Sequence, residues 1–593
     1  MKLPPCLDAF PEVWAADFEY RAENGGLPQV HCGVLRELRT DRPVRLWGEQ
    51  LRRPPAMHPQ SLYVAYYASA EMGCHLALNW PLPRNVLDLY VEFKNHINGR
   101  ELQLHLLSKG SKGLLGALAF FGLSHMDPDT KSNMRDVARR GGPFTAQERI
   151  ELLAYCELDV DALQALLWPL VGALVPRGRW LEHALLRGDY MKAVARMERN
   201  GTPLDTDTLH RLRANWAPLK TALVETIVAE YPVYTEGPAG YRLDQAKLQQ
   251  WALLNGIAWP WSDTGRLKTD KETLRKLEKA FPIVASIREV QSHLGAMILN
   301  DLHVGPDGRN RTLLSPFHAH TGRNQPSTSR FIYGPGVWVR FLIKPETGRA
   351  VAYLDWSSQE IAVSGALSGD TLLMDDYASG DPYIRFARAA GTVPPDATKE
   401  THEKQRDQVK QVVLGTNYGM QGRSVAAKAG IWLHEALALL KQHRGRYKTF
   451  WAWSQRVIDA ARITGHLDTV FGFRMHVRHY TKDTSLLNHP MQSNGAEMLR
   501  IAAVLMTEDG IQVCAPVHDA FLIEDTIENI DATVARAQAH MLQAARIVVG
   551  MDVRTDAKIV RYPDRYADKR GAAIWALLMG HLERLESKHK RRA

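Results

Sequence analysis

Two acidic residues sit at the ends of apolar, strand-like runs far apart in the chain. RAVAYLD ends at Asp355, and IQVCAPVHDAFLIED carries His518 and Asp519 between two apolar segments. Either feature alone is ordinary, because an acidic strand end or a His-Asp turn is usually structural. A third stretch changes the reading. In RDQVKQVVLGTNYGM, Arg406, Lys410, Leu414 and Tyr418 are each four apart, which stacks them along one helical face. Two cations one turn apart can grip a triphosphate, and a ring can lie against a base. A merely solvated basic face would not place Leu414 and Tyr418 in the same row. The three stretches fit one chemistry. Phosphoryl transfer uses two divalent ions roughly 3.5–4 Å apart, and Mg²⁺ takes carboxylate oxygens. Asp355 and Asp519, brought together by a sheet, would be the bridging ligands, with Mn²⁺ as a substitute ion. Lys410 and Arg406 would neutralise the triphosphate as pyrophosphate leaves.

A second constellation lies near the start of the chain. In AADFEY, Asp17 and Glu19 are two apart, so a strand puts both carboxylates on one face. In YCELD, Tyr155 and Asp159 are four apart, on one face of a helix. Two carboxylates, a third from a helix and a phenol could hold two metals and orient a water for hydrolytic phosphoryl transfer. Neither spacing is specific alone.

The elements needed to position these groups can be read from the pattern. VWAADFEY reads as a strand. LYVAYYASAEMGCHLALNW and VLDLYVEFKN read as mixed strand and helix. AQERIELLAYCELDVDALQALLWPLV reads as an amphipathic helix with Leu152, Tyr155, Leu158 and Leu163 recurring on its apolar side. VPRGR, around Val175 to Gly178, breaks the pattern and marks a boundary. From Trp180 to about Leu299 the chain reads as charged and helical, as long antiparallel helices that suit a clamp over a duplex. The loop HAHTGRNQPSTSRFIYGPG leads into RAVAYLD, helices follow from about Gln359 to Gly465, and the tail from Ala567 is helical with a basic end.

Bulk properties bound the class. A chain of 593 residues exceeds the roughly 250–300 that one core supports, so several α/β domains are expected. A formal charge of +9 suits a polyanionic partner without proving one. The five cysteines are scattered without a CxxC pair, which excludes a zinc site of that kind and a disulfide framework. The first residues lack a secretory pattern, and no stretch offers the ~18 consecutive apolar residues of a membrane span. A soluble, intracellular protein is the expectation.

The order strand-Asp355, then R-x₃-K-x₃-L-x₃-Y-G, then V-H-D resembles the three polymerase motifs of the family A DNA polymerases, which include DNA polymerase I and phage replicative enzymes. HTGR at His320–Arg323 resembles the family's TGR element, NHPMQ its N-x-P-M-Q helix, and MERNGTPLD, at Met197–Asp205, the start of its thumb. The resemblance runs from about residue 188 to 565. It implies primed template DNA and dNTPs as partners; a monomer is the default expectation, and replication accessory proteins are candidate further partners that the sequence does not identify. It also implies DNA contacts for Arg323, Asn488, Gln492 and His518, and a steric-gate role for Glu360 beside Tyr418 in dNTP binding. The sequence departs from the family at Leu414, where an aromatic is usual, and at Ala520, where motif C commonly has Glu. Ahead of this part, the first constellation resembles a DEDDy 3′→5′ proofreading exonuclease of RNase H-like fold. Glu71 matches the family's middle aspartate and Asp88 is the runner-up. The implied layout is an exonuclease-like domain at 1–178 and a right-hand polymerase domain at 179–593, with thumb about 188–300, palm about 310–375 and 466–593, and fingers about 376–465.

Other classes compete. A DNA 3′-exonuclease with a non-catalytic, DNA-binding polymerase-like half would be free to lose Asp355, Asp519 or Lys410, and all are present. A non-catalytic DNA-binding protein would leave two carboxylate clusters without purpose. A single-subunit RNA polymerase shares the palm chemistry, but Glu360 as a gate and the exonuclease-like half argue against it.

Overall fold

The computed structural model describes residues 3–101, 112–124, 128–230, 233–237, 240–284, 287, 299–334 and 336–590. Its first sheet contains β1 (Val13–Arg21), β2 (Gln29–Glu37), β3 (Arg42–Trp47), β4 (Leu62–Ala65) and β5 (Asn85–Asp88), in the order β3-β2-β1-β4-β5. The pairs β1–β2 and β2–β3 are antiparallel, and β1–β4 and β4–β5 are parallel. Helices cover both faces: α1 (Ser69–Ala77), α2 (Leu89–Ile97), α3 (Ala146–Leu174) and α4 (Trp180–Asn200).

The two-residue period of β1 sorts its side chains between two cores. Val13 and Ala15 belong to the core built with α3, whereas Trp14, Ala16 and Phe18 belong to the core shared with α4 and the rest of the molecule. Asp17 and Glu19 continue the first set and so face α3. That helix starts at a reciprocal cap, in which the Thr145 hydroxyl accepts from the Glu148 N–H at 3.1 Å and the Glu148 carboxylate accepts from the Thr145 N–H at 2.8 Å. Its buried row contains Leu152, Tyr155, Cys156, Asp159, Val160 and Leu163. Leu158, expected on that row, is 49% exposed. At 100° per residue, positions 155, 156, 159 and 163 share a side and 158 does not. Together with its closing turn, Ala146–Arg177 is long and apolar enough to cross a membrane by length and composition. Here its apolar side is laid along the sheet.

The pattern breaks at Gly178, which has φ +70, and α4 follows. Trp180 and Ala184 of α4 lie in the α3-side core, and Tyr190 to Met197 lie in the large shared core. Arg187 of α4 forms a buried ion pair with Glu92 of α2 at 2.6 Å and also donates to the Phe471 carbonyl at 2.8 Å. The helix therefore ties the first sheet to the second half of the chain. The segment after it differs from the expected long antiparallel helices. It holds helices at Thr206–Ala214, Trp216–Glu230, Gln245–Leu254 and Lys271–Ala280, and a hairpin of Tyr234–Gly237 with Gly240–Leu243. Pro218 fits the first turn of the second helix but could not continue the first. Residues 233–287 include a small core of their own around Leu248, Trp251, Trp259 and Leu274. Part of the expected clamp, residues 285–286 and 288–298, lies outside the described residues.

The second sheet is antiparallel. Its strands are β6 (Arg349–Trp356), β7 (Gln512–Val517), β8 (Ala520–Thr526) and β9 (Thr555–Arg561), in the order β7-β8-β6-β9. After β6 come α5 (Gln359–Ser368) and a run of helices that includes α6 (Glu403–Asn417), and α7 (Asp483–Glu508) precedes β7. The tail helix Ala572–Lys590 is not a loose basic end. Leu578 and Leu582 are fully buried, and Glu586 accepts two hydrogen bonds from Arg211 at 2.9 and 2.7 Å. Arg591 and Arg592 lie outside the described residues.

The packing of α4 on β5 is close enough to test. A Cβ on Gly188 would stand 1.9 Å from the Val86 carbonyl oxygen. Backbone cannot swing aside as a side chain does, so Gly188→Ala is expected to lower stability by about 1–3 kcal/mol. The measurement is the urea midpoint, and an unchanged midpoint would refute this close contact.

Candidate active sites

Strand register builds the first site. Asp355, near the end of β6, pairs with Ala520 of β8 on one side and with Asp556 of β9 on the other. β7 and β8 form a hairpin closed by Val517 opposite Ala520, so His518 and Asp519 are its two turn residues. His518 has φ +58, a conformation sparsely used by residues with a side chain. The Trp356 N–H donates to the Asp519 carbonyl at 3.4 Å, which ties the turn to the end of β6. The two carboxylates predicted to meet therefore do meet at one sheet end. Burial pushes Asp355 up to about 6, the charges of Asp519 and Asp556 add to this, and Lys410 opposes it. Asp519 is also raised by burial, with Arg323 and His518 opposing. Burial lowers His518.

Asp556 was not singled out in the sequence. Residues directly opposite in an antiparallel pair share a face, so Asp556 lies beside Asp355 while the equivalent place on β8 is Ala520. The one local signal was an acidic residue in RTDAKIV, which is too common to notice without the pairing.

The predicted face of α6 is also assembled. Tyr418 caps its end. Gln492 of α7 donates to Glu360 at 2.7 Å and to the Tyr418 hydroxyl at 2.7 Å. This joins the three residues expected at the sugar and templating positions. Burial, then the Glu360 charge, raises Tyr418 strongly. Arg406 donates to Asp381 at 2.7 Å and to Asp407 at 3.0 Å. Its guanidinium lies 5.1 Å from the Tyr383 ring centre, and the Lys410 ammonium lies 5.6 Å from the same ring. Tyr383, also missed in the sequence, is the aromatic surface that both cations share. Leu414 is half-buried between them and Tyr418. Arg323 approaches Asp519 from the loop before β6. The missing side chain at Gly495 of α7 makes room for Gln359, whose amide oxygen would stand 2.9 Å from a Cβ there, while the Arg323 guanidinium would be in ordinary contact at 3.7 Å. Asn488 is half-buried one turn before Gln492, with its Oδ1 enclosed and unpartnered among the described residues.

The second site forms where β1 faces α3. Ligand oxygens of Asp17, Glu19 and Asp159 all lie within 4.8 Å of one another. Tyr155 is one turn before Asp159, and burial, then the charges of Asp159, Glu19 and Asp17, raise its phenol strongly. Glu71 of α1 is buried beside them. Desolvation and then Asp17 hold its carboxyl well above the usual range, and its Oε2 has no partner among the described residues. Asp88 is not an alternative of the same kind. Its carboxylate accepts from the N–H groups of Tyr67, Ala68, Tyr90 and Val91 at 2.8–3.3 Å, which makes it the cap of α2. Burial raises it to about 6. Both sites offer hard oxygen donors, gathered at one sheet end in the first and within 4.8 Å of one another in the second, where a carboxylate oxygen of Glu71 is also orphaned. That donor set fits divalent cations such as Mg²⁺.

The profile of DNA polymerase family A matches residues 249–561, more than half of the chain. The chain belongs to DNA polymerase family A. Among its relatives, the thermostable DNA polymerase I of Thermus thermophilus is 25% identical over 407 residues, which is 63% of this chain and 47% of that protein. DNA polymerase I of Aquifex aeolicus is 24% identical over 388 residues, covering 62% and 64%. The DNA polymerase of Mycobacterium phage D29 is 25% identical over 254 residues, covering 42% and 41%. The aligned part thus spans about half the length of the first of these relatives. The fold is shared more widely. The POL domain of Pol1 from M. smegmatis, solved with DNA primer-template and dNTP, superposes with a TM-score of 0.70 at 18% identity, over 92% of this chain and 95% of that one. The family read from the motifs is therefore the family matched, and this family A chain carries a second carboxylate site ahead of the matched region.

That second site makes a prediction. Mn²⁺ or Mg²⁺ should raise the melting temperature, because the ion binds the assembled cluster and not the unfolded chain. The Asp17→Asn/Asp159→Asn variant should melt higher than wild type in EDTA, since repulsion is relieved, and should gain less on adding metal. Equal metal-induced shifts in the two proteins would remove the cluster as a cation site.

Proposed function

We propose that the chain is a DNA-directed DNA polymerase that extends a primer 3′ end with dNTPs, and that it carries a 3′→5′ proofreading exonuclease in residues 1–178 of RNase H-like, DEDDy type. The observation that carries the first part is the register that sets Asp355 beside Asp519, with Lys410 next to them. That arrangement also disfavours a DNA 3′-exonuclease with an inert polymerase-like half. In this reading residues 179–593 form the right-hand domain, and the protein works as a cytoplasmic monomer on primed template DNA.

Asp355 and Asp519 would hold two Mg²⁺ ions, with Asp556 as a third carboxylate. When bound, such ions supply Lewis-acid charge at the attacking and leaving oxygens. The chain's own groups do the rest. Lys410 and Arg406, steadied on the Tyr383 ring, receive the triphosphate, for which Arg406 exchanges its contact with Asp381. Glu360, fixed by Gln492 and Tyr418, fills the space a ribose 2′-hydroxyl would need. Arg323, Asn488 and Gln492 face the minor groove, and His518 lies near the primer end. In the first half, Asp17, Glu19, Glu71 and Asp159 would hold the exonuclease metals, and Tyr155 would orient the attacking water.

Primer extension on a primed template with dNTPs and Mg²⁺ tests both activities. Asp519→Ala is expected to lower extension by orders of magnitude while still degrading primer, and Asp17→Ala to extend but no longer trim a mismatched end. Full extension by the Asp519→Ala protein would end the polymerase reading. For the gate, Glu360→Ala should raise ribonucleotide incorporation by about tenfold or more, the effect of ~1.4 kcal/mol of lost discrimination. Unchanged sugar selection would refute the steric role.

A further inference from the structure

Lys94 lies on α2, in the first half of the chain, and is only 4% exposed. Its ammonium donates to the carbonyl of His318 at 3.1 Å. Its other neighbour is a second cation, Lys112, close enough to depress it. His318 and His320 come from the loop that precedes Arg323, and with Lys112 they are exposed around Lys94. The arrangement is held in place. The His320 Nδ1 and the Asn98 Oδ1 lie 2.7 Å apart, and the Asn98 amide donates to the carbonyls of His320 and Arg474, both at 2.8 Å.

Among the described residues, neither lysine has a carboxylate partner within ion-pair distance. The next cation along the seam, Arg478, donates to the carbonyls of Gly99 and Arg100 at 2.7 and 2.6 Å, and the nearby Asp468 is held by both branches of Arg474 at 2.8 and 2.7 Å. Burial, then Lys112, push Lys94 down to about 7, and burial, then the two lysines, lower both histidines. A fold does not gather like charges around a buried ammonium without loss of stability. An anion seated between the two lysines would remove the conflict.

The position identifies the anion. Arg323 is five positions after His318, a span of at most ~18 Å, and Arg323 lies beside Asp519. The cations therefore sit within roughly one duplex turn, ~34 Å, of the polymerase carboxylates. An ammonium is a point charge that suits a single phosphate oxygen rather than a planar, bidentate partner.

We propose that Lys94 and Lys112, rimmed by His318 and His320, form a seat for one backbone phosphate of the primed DNA, at the seam between the exonuclease-like half and the polymerase half. That the phosphate belongs to DNA rests on the polymerase reading. The seat joins the two halves through the ligand, because Lys94 and Lys112 belong to one and the histidines to the other.

The test is fluorescence anisotropy of a primed duplex with the full chain in EDTA, where nothing is cut, across a salt series. Lys112→Gln, at an exposed position, and Lys94→Met should each weaken binding about threefold to tenfold near physiological salt and flatten the log–log salt slope by about one unit. Lys112→Arg should keep the slope. Unchanged slopes in both Lys112→Gln and Lys94→Met would overturn the proposal. So would a loss of inorganic phosphate binding in these variants, followed by calorimetry, while DNA binding stays as in wild type, since the seat would then serve a free anion. Failure of the polymerase reading would look different: the wild-type chain would not extend a primer, whatever the salt slopes show.

Discussion

Repulsion between carboxylates is the constraint around which this molecule is arranged. Two like charges ~5 Å apart in a medium of effective dielectric ~20 repel by roughly 3 kcal/mol; Asp17, Glu19 and Asp159 are gathered at that spacing, and Asp355 feels the charges of Asp519 and Asp556. At the second sheet the conflict is imposed by backbone register. Asp355 cannot move away from Asp519 or Asp556 without breaking its pairing with Ala520 and Asp556. At the first sheet it is imposed by the strand period and by α3, which brings Asp159 to Asp17 and Glu19. Hydrophobic packing offsets both, and it does so close by. Ala350, Val351, Ala352 and Leu354 of β6 are fully buried, as are Val13 to Ala16 of β1.

The groups around the carboxylates are held by contacts that a ligand can exchange. Arg406 rests on Asp381, a residue that also caps the following helix by accepting from the N–H groups of Tyr383 and Ile384 at 3.0 and 3.2 Å. Glu360 rests on Gln492 and Tyr418. Ordering these side chains before any ligand arrives reduces the entropy that binding would otherwise remove. Glu360 and Arg406 are thus held by neighbours, whereas the Asn488 Oδ1 and the Arg323 Nε are left without a partner among the described residues.

Much of this was legible in the sequence because it depends on local periods. The four-residue spacing from Arg406 to Tyr418, the two-residue spacing of Asp17 and Glu19, and the apolar runs on either side of His518 and Asp519 all translate directly into faces and strand ends. What escaped depends on pairing across long separations. Asp556 acquires meaning only when β9 is placed beside β6, about two hundred positions away in the chain. Tyr383 does so only when its helix is set against α6. Leu158 was assigned to the wrong side of its helix because a run of closely spaced leucines blurs the 3.6-residue period. Asp88 was the runner-up to Glu71 as a metal ligand, and the N–H groups that occupy its carboxylate are invisible in a list of side chains.

The helix α4 enters both large cores along a single axis and is locked by the buried Arg187–Glu92 pair. A brace of this kind packs the two halves against one continuous helix, so the two carboxylate centres are spaced by the scaffold rather than by a linker. If the cluster of Asp17, Glu19 and Asp159 is the proposed exonuclease centre, a primer end trimmed there would reach it by fraying from its complement. The partition between synthesis and excision would then be governed by how readily the terminal base pairs open, with a mismatch departing sooner than a matched end.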